Sequence, residues 1–151
     1  MQVPRRSTII SSLERFLAIL AAVVCLIITI LLWLSVSAHQ NMWPLPGLYF
    51  IEMVVLSSIS AFLFVRGEPR DKFIIWGAAG VIAAFSILGA FSVGFFYLPV
   101  ALIFVVISVT SDVRNKHHIT AHLGIFVISG IVQLALMFAA IRLLDPSAVV
   151  R

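Results

Sequence analysis

From Phe73 to Ser111 the chain carries no Asp, Glu, Lys, Arg or His, an uncharged run of about 39 residues. As one straight helix rising about 1.5 Å per residue it would be roughly 60 Å long. That is twice the ~30 Å thickness of a bilayer's hydrocarbon core. The run therefore predicts two crossings joined by a tight reversal, and the segment from Phe91 to Pro99 holds the residues for it. Gly94 permits a backbone reversal. Pro99 suits the first turn of a new helix and fits poorly in a helix interior. Tyr97 suits a membrane–water interface.

The rest of the pattern divides in the same way. Apolar runs predict spans at about 16–36, 48–65, 73–90, 95–111 and 123–144. The first exceeds the ~7–15 apolar residues of a signal-peptide core. It is read as a retained helix, although Ser35 to Ala38 resembles a cleavage site and Arg5-Arg6 faintly resembles a twin-arginine signal. Pro44 and Pro46 are expected to stop any helix in the loop after it. Trp33, Trp43 and Tyr49 cluster about that loop as an aromatic belt would. Two charged turns, Arg66 to Lys72 and Asp112 to His118, separate the later spans.

Composition agrees with the pattern. Of 151 residues 62% are hydrophobic and 11% charged, and the mean hydropathy is +1.18, which excludes an ordinary soluble domain of this size. The length suits one transmembrane domain. The +4 charge lies in short patches beside apolar runs, where it sets orientation and meets anionic lipid rather than nucleic acid. With five spans, eight Lys and Arg fall on the amino-terminal side and only Arg142 and Arg151 on the other. The amino terminus is then cytoplasmic and the carboxyl terminus outside. Four spans plus a re-entrant segment give the same eight-to-two bias, so span length and the Gly94–Tyr97–Pro99 turn decide for five. Cys25, the single cysteine, excludes an internal disulfide and reads as a packing residue.

Lipid is as apolar as Leu, so close packing through small residues has to hold such helices together. Ala18 and Ala22, Ser57 and Ala61, and Gly80 and Ala84 recur at helical spacing, with Gly124 and Gly130 less regular.

Few residues carry candidate chemistry. Glu52 lies about four residues, or 6 Å, from the midpoint of the second span, where an unpaired carboxylate is costly and marks a candidate site. Its expected partner is Arg142, roughly 13 Å from the fifth midpoint and able to reach back. Gln133 near the centre of the fifth span is expected to act as interhelical hydrogen-bond glue. His118 and His122 share a helical spacing and offer two ligands; a metal site needs a third, and axial haem ligation needs two histidines at matching depth on different helices, or one plus Met or another ligand. The histidines read as solvated or headgroup-facing, so no metal or cofactor is expected. Phosphate-binding, nucleophile-elbow and zinc-protease motifs are absent from the sequence.

The run Gly94 to Ala101 between two apolar helices resembles a pattern of small bacterial multi-spanning proteins. The resemblance implies a bacterial source, supports the hairpin and implies no activity; the expected location is a bacterial plasma membrane. The expectation is thus an all-α, five-span, non-enzymatic protein working as an accessory or assembly subunit of a larger membrane complex. It would contact lipid and a membrane protein partner or further copies of itself. The alternatives are a small oligomeric transporter or channel using Glu52 and Gln133, and a haem- or metal-binding protein using His118 and His122.

Overall fold

In the computed structural model, residues 5–38, 45–68, 71–89, 93–115 and 119–144 are described, with side chains described from residue 12 and not at 45–46, 115 and 144. The described residues form five α-helices and no strand: α1 (Arg5–Ser37), α2 (Leu45–Arg66), α3 (Lys72–Leu88), α4 (Leu98–Asn115) and α5 (Ile119–Leu144). The protein is all-helical, with four to five apolar helices able to span a membrane. α1, α2, α4 and α5 have the length for it; α3, with 17 residues, is shorter.

Side-chain contacts fix the relative directions. Glu14 near the start of α1 meets Arg114 near the end of α4. Lys72, opening α3, meets Asp112 on the last turn of α4. His122, in the first turn of α5, meets the same Asp112. Arg15 lies beside Gly67, where α2 ends. The five helices therefore alternate up and down. One end of the bundle gathers Arg15, Arg66, Lys72 and Arg114, and Arg142 lies toward the other.

α3 is the axis of the bundle. It packs on α2, α4 and α5 and buries Trp76, Ile82 and Phe85. Its seam with α5 depends on a missing side chain. A Cβ at Gly80 would sit 2.2 Å from the Phe126 carbonyl oxygen, so the two backbones meet there. Gly130 comes within van der Waals reach of Gly80 and Ala84, whereas Gly124 faces open space and takes no part. On α1 the buried small residues are Ala18, Ala21 and Cys25, a stripe one residue round from the expected Ala18–Ala22 pair. Ser57 and Ala61 are buried on α2 as their spacing suggests.

The reversal between α3 and α4 uses Gly94 by another route than expected. Gly67 is the glycine with positive φ, at 74°; its N–H donates to the Leu63 carbonyl and closes α2. At Gly94 the demand is close approach. A Cβ would fall 2.5 Å from the Gly89 Cα and 2.7 Å from the Phe85 oxygen. A short 3-10 turn, Gly94–Tyr97, then leads into α4, and Pro99 is the second residue of that helix, where it costs no hydrogen bond. Tyr97 is fully buried within the bundle. Its ring meets Phe85 edge-on at 5.6 Å. The Thr29 hydroxyl donates to the Cys25 carbonyl and so accepts from the Tyr97 hydroxyl, 2.8 Å away. Two boundaries also differ. α1 begins at Arg5, because polar residues outside the apolar run still form helix. α2 begins at Leu45 with Pro46 in its first turn, which tolerates proline; Trp43 and Pro44 lie outside the described residues.

Candidate functional site

The charged end of the bundle holds a hub that the sequence reading passed over. Asp112 has no exposed surface. Its Oδ1 accepts from Lys72 Nζ at 2.7 Å. Its Oδ2 accepts from Trp76 Nε1 at 2.8 Å and lies 2.5 Å from His122 Nδ1. The Lys72 ammonium also donates to Ser111 Oγ at 3.0 Å. An ionised carboxylate is costly in a dry environment unless its lone pairs are met, and here four donor contacts converge on Asp112 and its neighbour. The elements explain the convergence. Lys72 and Trp76 are one turn apart on α3 and face the last turn of α4, while α5 delivers His122 from beyond the next connection.

His122 is therefore not solvated. It is buried, stacks over Trp76 at 6.3 Å and meets the Phe73 ring edge-on at 5.0 Å. The proposed partner His118 lies outside the described residues, as do His39 and His117. No group of three His, Cys, Asp or Glu able to hold a metal ion occurs among the described residues.

Beside the hub is a second ion pair, Arg114 Nη1 to Glu14 Oε1 at 2.5 Å. Between the two pairs lies a cavity of about 120 Å³, walled by α1, α2, α3 and α4. Arg15, Lys72, Trp76 and Ser108 all line it. The Ser108 hydroxyl is buried and has no hydrogen-bond partner among the described residues.

Glu52 and Gln133 do come together: Gln133 Nε2 donates to Glu52 Oε2 at 3.1 Å, bridging α2 and α5. Gln133 is buried and Glu52 half-buried. The expected Glu52–Arg142 ion pair is not formed among the described residues. Arg142 is exposed near the end of α5, nine residues past Gln133. That is about 13 Å of helix, and the amide already stands opposite the carboxylate.

A signal for the hub was present. Lys72 and Asp112 each lie twenty residues from position 92, so a hairpin centred there sets them level. In the sequence alone the two residues belong to separate charged turns, Arg66 to Lys72 and Asp112 to His118.

Comparison of the chain with protein-family profiles, with curated proteins and with solved structures finds no match.

Proposed function

We propose that this chain is a non-catalytic accessory or assembly subunit of a larger complex in a bacterial plasma membrane. In this reading all five helices cross the bilayer, with the charged end cytoplasmic and the carboxyl terminus outside. The observation that carries the reading is α5. Its 26 residues rest almost wholly on α3, and only 6% of its apolar window is buried. Leu123, Ile128, Ile131, Leu136 and Phe138 are all exposed on it. A helix this long and this bare offers an intramembrane face to a partner. The ionisable groups support the same reading. Both oxygens of Asp112 and one oxygen each of Glu14 and Glu52 meet partners within the chain, as a scaffold requires. Extraction in mild detergent, followed by native mass analysis, tests the proposal. It predicts a stoichiometric partner of a different sequence; a lone monomer refutes it, and a pure homo-oligomer favours a transport assembly.

A further inference from the structure

On the outer side of α1 and α2 runs an open apolar groove of about 340 Å³, between Ile19, Ala22 and Leu26 on one helix and Ala61, Phe62 and Val65 on the other. Small side chains at Ala22 and Ala61 make its floor. One helical turn before Ile19 stands Arg15, which also lines the polar cavity at the charged end. The groove thus opens at that end onto a cation.

That cation is not neutralised within the described chain. The carboxylates lining the cavity are Glu14, Glu68 and Asp112. Glu14 is held by Arg114, Glu68 by Arg66 and Asp112 by Lys72. Asp71, the N-cap of α3, is buried nearby and does not line the cavity. No carboxylate lies within ion-pair range of Arg15 among the described residues. A second, independent observation is Ser108. Its hydroxyl is 3% exposed as a residue, unpartnered, and lines the same cavity. The unpaired guanidinium stands one turn from the end of the apolar groove, and the idle hydroxyl lines the polar cavity that Arg15 also lines; an anionic headgroup followed by an acyl chain matches that order.

We propose that the α1–α2 groove and Arg15 together hold one anionic phospholipid, with its phosphate at Arg15 beside the cavity and one acyl chain along the groove. The proposal is independent of the subunit reading and requires only that the charged end face a headgroup layer. Basic pockets between membrane helices bind anionic headgroups through the same chemistry.

Native mass spectrometry of the purified full chain, titrated with dioleoyl phosphatidylglycerol, dioleoyl phosphatidylcholine, dihexanoyl phosphatidylglycerol or inorganic phosphate, tests it. The expected result is one retained phosphatidylglycerol, preferred over phosphatidylcholine by about fivefold, the contribution of one basic residue near the headgroups. Arg15→Gln removes that preference and Arg15→Lys keeps most of it. Because Arg15 is exposed, neither change disturbs the core. The dihexanoyl lipid is retained at least about tenfold less than the long-chain one, for want of buried methylenes. Equal retention of the two headgroups, or a preference that survives Arg15→Gln, overturns the proposal. Equal retention of short and long chains removes the groove from the site and also overturns it. Inorganic phosphate held as tightly as the lipid shows a free-anion site instead.

Discussion

Asp112 and Glu52 both lie within this bundle, and the structure treats them differently. Asp112 is fully buried and meets a lysine, a tryptophan and a histidine. Glu52 is half-buried and meets one neutral amide, Gln133. Asp112 has a counter-charge and sits at a helix end, where side chains of both α3 and α5 reach it. Glu52 sits on the seam between α2 and α5, two helices that barely touch. The contrast teaches that position along the bundle decides how a buried charge is met. Near an end, side chains from several helices converge; on a lateral seam a single neighbour is within reach.

The largest effect is expected at the hub. Asp112→Ala leaves the half-buried Lys72 ammonium without its partner and empties a fully buried site, and the loss of folded-state stability should approach the roughly 3–5 kcal/mol of a broken buried pair. Denaturant titration in detergent would read it. Lys72→Met combined with Asp112→Leu removes both charges at once, so the double variant should lose clearly less than Asp112→Ala alone. If the two losses simply add, the pair is not a unit. A smaller effect is expected at the α3–α5 seam. Gly80→Val forces the backbones apart at Phe126 and should cost about 1–3 kcal/mol. Because Gly130 and the Glu52–Gln133 bridge depend on the same seam, protease cutting in α5 should rise with it. Glu52→Gln should be the mildest. It keeps an acceptor for Gln133, and the bond itself is worth about 0.6 kcal/mol in membrane bundles, with an upper limit near 1.7. A Glu52→Gln loss as large as that of Asp112→Ala would erase the contrast.

The helical class and the placement of five apolar segments were legible, because hydropathy and residue spacing follow directly from what lipid and helix geometry demand. So was Gly80, whose partner Ala84 lies one turn on. Helix ends were less so. The first helix extends back to Arg5 through residues that hydropathy marks only as unsuited to lipid. Pro46 was read as a stop and is in fact a start; a proline does not announce which side of it the helix takes. The hub was not read at all. Its lysine and aspartate stand in charged turns that look solvated in one dimension, and only the folded hairpin brings them level. Glu52 was recognised as a buried acid needing company, yet the partner chosen was the opposite charge and not the nearer amide. Depth along the helix outweighed charge.

The account depends most on alternating helices that put the charged end and the end of α5 on opposite faces of a bilayer. The direct measurement is labelling with a membrane-impermeant maleimide in a Cys25→Ala background, which removes the single native thiol. Glu68→Cys and Leu143→Cys supply exposed reporters at the two ends. The account predicts that Glu68→Cys is labelled only in inverted vesicles and Leu143→Cys only in intact cells. Labelling of both from the same side would contradict it.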